Sequence, residues 1–216
     1  MSNNPFSTLS VLVDNDSWIL PYAEQLVDEL SLKYTCKLVR IAKDIPYGDV
    51  CFFLGCTQIV CKNELARNRH NLVVHESDLP QGKGFAPMSW QILQGKKDIP
   101  ICLIEANEEA DSGKIWLTDT IKLNGRELHD EWRKKQGEAT LSIAKKFIDN
   151  FETLTPKSQK GEVSTYPRRS SKNSELCLNK TLAEQFDLLR VVSNDHYPAF
   201  FIKDGIKYTI EISRDQ

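Results

Sequence analysis

No segment of the chain comes near the ~20 consecutive apolar residues that a membrane span requires, so the membrane is not an expected partner. The opening stretch, Met1 to Ser10, is polar and has no basic residue followed by an apolar core, which predicts no secretory leader and a cytoplasmic protein. Charge of one sign is not in excess either. A formal net charge of -2 over 216 residues provides no overall cationic field for a polyphosphate backbone, and nucleic acid is not an expected partner. The six cysteines, Cys36, Cys51, Cys56, Cys61, Cys102 and Cys177, never form a C-x-x-C pair, which disfavours a zinc knuckle and a redox dithiol; they read as buried reduced thiols. There is no G-x-G-x-x-G after the first strand, no Walker A sequence and no G-x-S-x-G elbow, which removes the usual signals for dinucleotide, nucleoside triphosphate and serine-hydrolase chemistry.

What the chain does contain is an alternation of short apolar runs and helical spacing. Ser10 to Val13 is a strand stopped by Asp14-Asn15-Asp16-Ser17, and Pro21 to Leu32 places apolar residues at helical intervals. Cys36 to Ile41, Val50 to Leu54 and Asn71 to Val74 follow as strands, the last ending at His75; separations of helix length imply parallel pairing. Met88 to Leu93 suits a short helix stopped at Gly95, Ile99 to Glu105 and Ile115 to Leu123 read as further strands, and Glu127 to Phe151 as a long helix. The predicted fold is α/β: a Rossmann-like, mostly parallel sheet with flanking helices, and a small carboxyl-terminal helix plus β-hairpin. Residues 1–152 form the expected catalytic domain, 153–175 a polar surface linker, and 176–216 the small terminal unit. Within that unit, Thr181 to Val191 is the predicted helix, and Lys203-Asp204-Gly205 joins the two strands of the hairpin.

Parallel strands gather ligand sites at their carboxyl ends. His75 sits at such an end and opens His75-Glu76-Ser77-Asp78-Leu79-Pro80-Gln81-Gly82-Lys83-Gly84, whose glycines and proline shape a backbone able to approach a ligand closely. Asp111 lies in an acidic loop after the next strand, a plausible neighbour of His75. His75, Ser77 and Asp78 supply the residue types of a hydrolase triad but are too close in sequence to converge readily, and His70, His75 and Glu76 lack metal-ligand spacing; no metal is expected.

His75-x-Ser77-x-Leu79-Pro80, then Gly84, Pro87 and Trp90, resembles the formyltransferase family that uses 10-formyltetrahydrofolate. That family carries a strand-end Asn-x-His, a Ser-Leu-Leu-Pro-like segment and a later Asp-x-Gly. Here Asp111-Ser112-Gly113 falls 36 residues (111 − 75) after the histidine, the family spacing. The resemblance implies that His75 is the catalytic histidine and Asp111 its partner, and that 10-formyltetrahydrofolate is the formyl donor. It also implies that Gly55, Gln58 and Val60 on one side, with Glu109 and Ala110 on the other, bracket the pterin largely through backbone groups. One position departs: Val73 stands where the family has asparagine, and Lys83 where arginine is common.

The carboxyl-terminal segments Tyr166-Pro167-Arg168-Arg169, Tyr197-Pro198-Ala199-Phe200-Phe201 and Gly205-Ile206-Lys207-Tyr208 look like the tail of the sugar N-formyltransferases, and the Glu-Ser-Asp-Leu-Pro variant is most similar to the branch acting on UDP-linked 4-amino sugars in pseudaminic acid pathways. The implied substrate is a nucleotide-linked amino sugar, with Ser77, Lys83, Gly84, Arg168 and Arg169 as its expected contacts, since a diphosphate calls for cations or free amide donors. The aromatic hairpin suits a dimer contact or a cover over the first domain, and a homodimer is expected. The rivals are a formyltransferase for glycinamide ribonucleotide or initiator methionyl-tRNA, the latter normally needing a basic RNA-binding domain, and a folate or nucleotide-sugar binding protein that has lost catalysis, for which Val73 is the argument.

Overall fold

A computed structural model describes residues 5–215; the start of the chain up to Asn4, read above for a leader, lies outside them. The first half alternates strands and helices: β1 (Thr8–Leu12), α1 (Leu20–Ser31), β2 (Thr35–Val39), β3 (Gly48–Phe53), α2 (Lys62–Leu65) and β4 (Asn68–His75). Then come β5 (Lys83–Gly84), α3 (Pro87–Leu93), β6 (Asp98–Glu105), β7 (Ile115–Lys122) and α4 (His129–Asn150). Beyond α4 lie β8 (Thr165–Tyr166), α5 (Phe186–Val191), β9 (Ala199–Lys203) and β10 (Ile206–Ile210). Pro21 in the first turn of α1 has its φ already fixed for a helix, and Ala23, Leu26 and Leu30 give that helix one buried face. The first turn of α4 is closed by Glu131, whose carboxylate accepts the Leu128 N–H at 2.8 Å.

Six strands form the main sheet in the order β2-β1-β3-β4-β6-β7. The pairs from β2 through β4 are parallel, whereas β6 runs antiparallel to β4 and β7 antiparallel to β6. The two faces of this mostly parallel sheet are covered differently. Leu9, Val11, Phe52, Leu72 and Leu103 point to a large core closed by α1, α3 and α4. Leu12, Val39, Cys51 and Phe53 point the other way, where only short elements and loops pack through Ile45, Val60 and Leu65. The second face therefore has room for a ligand at the ends of the strands.

Two expectations need correction. Thr181 to Val191 is not one helix: a 3-10 turn at Ala183–Gln185 precedes α5, because Gln185 turns its side chain back onto the Cys177 and Lys180 backbone. Nor are all the cysteines buried. Cys61 and Cys177 are exposed; Cys51 and Cys102 are buried, and burial pushes both thiols up to about 12. Among the described residues all six cysteines are free, and no helix is long and apolar enough to cross a membrane.

The terminal segment is fixed to the start of α4 through a buried charge. Arg190, 1% exposed, pairs with Asp187 at 2.7 Å and Glu127 at 3.4 Å, while the Trp132 indole N–H donates to its carbonyl at 2.8 Å. Burial alone would push the Glu127 carboxyl up, but the Lys135 ammonium and the Asn124 backbone N–H, both at 2.8 Å, hold it down at about 2 against an ordinary value of 4.5. A depressed carboxyl contributes stability above its unfolded pKa and loses it on acidification. Glu127→Gln is accordingly expected to lower the melting temperature at pH 7 and to flatten its fall between pH 4.5 and pH 2. Melting curves across that range check this, and a slope unchanged by the substitution contradicts it.

Candidate active site

β4 carries Leu72, fully buried, into the sheet and ends on His75, 5% exposed. The chain then doubles back over the imidazole, so that Gly82 O lies 2.8 Å from His75 Nε2. This return depends on glycine. Gly82 and Gly84 both have left-handed φ, and a Cβ on Gly84 would lie 2.6 Å from Tyr166 O of β8. The close approach read from these glycines is thus an approach to the protein's own strand β8, which pairs with β5 in register Gly84↔Tyr166.

Asp111 arrives from the loop between β6 and β7, itself in left-handed conformation (φ 53°). Its Oδ2 accepts the Gly84 N–H at 2.8 Å, and its Oδ1 lies 3.6 Å from His75 Nδ1. That separation is longer than a formed hydrogen bond, as is common for catalytic pairs before substrate closes the site. A carbonyl only accepts, so Nε2 bears the proton of the Gly82 contact. Nδ1 is then the ring nitrogen that faces the Asp111 carboxylate.

Around this pair opens a cleft of about 580 Å³. Three strand ends wall it: Gly55 to Val60 after β3, Val73 to Glu76 at the end of β4, and Glu105 to Asp111 after β6, with Trp18, Phe85 and Arg133 closing it. Asp14 shapes the first wall by accepting the Thr57 and Gln58 N–H groups at 2.9 Å each. Cys56 lies in the same wall, but burial, with the Asp14 charge beside it, pushes its thiol up to about 12, which rules it out as a thiolate nucleophile near neutral pH. Among the described residues no group of three or more His, Cys, Asp and Glu side chains is placed to hold a metal ion.

The chain is similar in sequence to methionyl-tRNA formyltransferase from Anaplasma marginale, 31% identical over 136 residues, 61% of this chain and 42% of that relative. The chain thus spans under half the length of the curated relatives it matches first. No protein-family model matches it. Among solved structures, a methionyl-tRNA formyltransferase from Clostridium thermocellum superimposes with a TM-score of 0.80 at 18% identity, covering 97% of this chain and 94% of that one. The chain has the formyltransferase fold. A sugar N-formyltransferase from a Shewanella species gives 0.71 at 16% identity, with 97% and 98% covered. HypX from Aquifex aeolicus in complex with tetrahydrofolic acid gives 0.76 at 14% identity, covering 94% of this chain and 37% of that one.

On this formyltransferase fold, Gly55, Gln58, Val60, Glu109, Ala110 and Gly84 all line the cleft together with His75 and Asp111. Four expected substrate contacts do not. Ser77 is buried beneath the loop, with no hydrogen-bond partner for its hydroxyl. Lys83 reaches toward Glu109, Nζ to Oε1 3.9 Å, outside the lining. Arg168 stacks on Phe85 at 5.3 Å, and Arg169 lies over Trp90 while donating to the Asn173 carbonyl. Val73 presents its isopropyl group to the cleft, and Asn71 does not stand in for the missing amide: its side chain donates to Leu65 O at 2.8 Å.

Three residues of the polar segment beyond α4 hold the site together, and two of them, Gln159 and Ser164, carry no sequence signal. Gln159 Nε2 donates to both Asp111 O and Gly113 O at 2.9 Å, Ser164 Oγ accepts the Gly82 N–H at 2.9 Å, and Tyr166 O accepts the Phe85 N–H at 3.2 Å. Arg133 and Trp18 were likewise hidden. Trp18 stands in the turn before α1 and Arg133 on α4, and helical spacing marks core positions without saying which other side chains reach a cleft.

Proposed function

We propose that this chain transfers a formyl group from 10-formyltetrahydrofolate to the amino group of a nucleotide-linked amino sugar, with His75 and Asp111 at the reacting centre of a catalytic unit spanning residues 1–152. The observation that carries the reading is the His75–Asp111–Gly84 arrangement at the rim of the cleft, on a fold shared with formyltransferases. The cleft suits a flat heterocyclic donor: Val60, Val73 and Ile104 offer apolar contact between the backbones of the 55–60 and 106–111 loops. The tetrahydrofolate in a neighbour of the same fold supports that choice, and the sugar N-formyltransferase neighbours support an amino sugar as acceptor.

In this reading the acceptor nitrogen attacks the formyl carbon, and the formyl oxygen gains negative charge. To donate to that oxygen, the His75 ring gives up one of its two resting partners, Gly82 O at Nε2 or the Asp111 carboxylate at Nδ1. As the bond from carbon to the folate nitrogen breaks, the leaving nitrogen takes up a proton and the acceptor nitrogen gives one up. The products are the formamide and tetrahydrofolate. With valine at position 73 the oxyanion has no side-chain amide from β4, so the imidazolium is its principal partner. A second reading, a folate or nucleotide-sugar binder without turnover, rests on Val73 alone.

Calorimetry with 5-formyltetrahydrofolate as a stable analogue is expected to show saturable binding, and turnover with a panel of UDP- and dTDP-linked amino sugars is expected to single out one or a few acceptors. Lack of analogue binding at near-millimolar concentration, a level at which even weak specific ligands register, overturns the donor assignment. Binding without turnover of any amine selects the second reading.

A further inference from the structure

Arg133 stands beside the buried Trp132 on α4 and lines the cleft. Its guanidinium carbon lies 4.3 Å from the Trp132 ring centre and 4.5 Å from that of Trp18. A guanidinium stacked on aromatic rings presents its N–H groups at its edge, the geometry that takes a carboxylate or phosphate in two parallel hydrogen bonds. One of those groups donates to Gln136 Oε1 at 2.8 Å and the Tyr197 side chain lies against the guanidinium, but Nε, cut off from solvent, has no partner.

No carboxylate comes within ion-pair distance of Arg133 among the described residues. Arg190 shows how this protein treats a purely structural buried arginine, pairing it with both Asp187 and Glu127. Glu76 also lines the cleft, yet Gln136 stands between the two charges: its oxygen accepts from Arg133 and its nitrogen donates to Glu76 Oε1 at 2.7 Å. Burial pushes the Arg133 pKa down, only partly opposed by Tyr197 and Glu76. Arg169, whose Nε is also orphaned, has its own pKa lowered first by burial and then by the Arg133 charge. Arg133 is half-buried and its nearest carboxylate is held off by Gln136, so it lacks a direct counter-charge, which a ligand anion would supply.

Strand alternation locates that anion relative to the donor. Val73 and His75 face the apolar slot between the two loops, whereas Val74 and Glu76 face α4 and Arg133. Two substrates lying on either side of the β4 terminus would meet at His75. The geometry points to Arg133 as the residue that takes an oxyanion of the amine acceptor, phosphate or carboxylate, on the Glu76 side of the cleft, an assignment resting on the formyl-transfer reading above.

The test uses the Trp18 and Trp132 indoles as reporters. Intrinsic fluorescence of the full chain at low ionic strength is followed during titration with inorganic pyrophosphate and, separately, with acetate. A saturable change is expected with one of them, pyrophosphate identifying a phosphate and acetate a carboxylate. Arg133→Met is expected to weaken that binding at least about tenfold, the effect of losing roughly 1.4 kcal/mol of charge-assisted pairing, and Arg133→Lys to fall between the two. The affinity for 5-formyltetrahydrofolate should stay unchanged in both. Absence of saturation by either anion up to roughly 50 mM, where even a very weak site would fill, overturns the proposal. So does equal anion binding by Arg133→Met, or a parallel loss of folate affinity, which would place Arg133 on the donor. Should Arg133→Met fail to fold, Arg133→Lys with unchanged melting carries the comparison. A wild-type chain that binds anion and not the folate analogue removes the formyl-transfer reading; one that binds the analogue and not the anion removes this proposal alone.

Discussion

His75→Ala is expected to lower kcat for formyl transfer by about 10²-fold or more, the usual scale for losing a positioned acid or oxyanion donor. The size follows from how little else is available: Val73 offers no hydrogen bond, Asn71 is committed to Leu65, and Cys56 stays protonated. Asp111→Ala should lose a comparable factor, since it removes both the carboxylate facing Nδ1 and the acceptor of the Gly84 N–H. The two act as one unit, so the double variant should be little worse than either single one. Asp111→Asn separates the roles: an amide oxygen still accepts from Gly84 but no longer favours a protonated ring, so the loop should hold while kcat falls. Steady-state kinetics with melting controls measure all four, and near-wild-type turnover in His75→Ala would sink the mechanism.

Gly113→Ala is expected to disable the site from a distance. A Cβ there would lie 1.6 Å from Glu105 O and 2.7 Å from Glu105 C, both main-chain atoms that cannot rotate away. Glu105 is itself pinned, its N–H donating to Lys114 O at 2.9 Å and its carboxylate accepting from Asn71 N and Trp116 Nε1 at 2.8 Å each. The strain must therefore be relieved by the 106–113 loop, which carries Asp111 away from Gly84 and His75. Overpacking of this kind costs roughly 1–3 kcal/mol or more, and at about 2–4 °C per kcal/mol for a chain of this size the melting temperature should drop by several degrees. Activity should fall to the level of Asp111→Ala. A Gly113→Ala protein that melts and turns over like the wild type contradicts this account.

Much of the fold was legible because β1 and β3 are buried on both faces over most of their length and so read as apolar runs, and β4 keeps a short one at Leu72 to Val74. The parallel run from β2 to β4 followed from the helix-length separations, but the reversal at β6 did not, since a period-2 pattern has no polarity. The 22 residues between His75 and Asp98 have the length of a crossover, yet residues 76–86 are taken up by the loop over the imidazole. The seven residues of α3 span only ~10 Å, too short to return along a strand of eight residues, ~26 Å, so β6 runs down beside β4 instead. At the site, His75 was singled out by its strand end, and Asp111 by the resemblance to the formyltransferases, whose spacing from the histidine it shares. Arg133, Gln159 and Ser164 were not, because what brings each of them to the site is contact across long stretches of chain that no local pattern encodes.

The polar stretch after α4 has the composition of a segment in which evolution is free to add and remove residues. Its contacts set limits on that freedom. Lys157 is held by Ile115 through hydrogen bonds in both directions at 2.8 Å, Gln159 by the Asp111 loop, and Ser164 and Tyr166 by the Gly82–Phe85 segment. The span between these anchors has a set reach, and only around Gly161, where an added Cβ would meet nothing within 4 Å, is there slack. Length variation among homologues of this chain should therefore collect at residues 160–163 and be rare on either side, so that an insertion map of the family would trace the outline of the clasp that keeps the histidine and the aspartate facing one another.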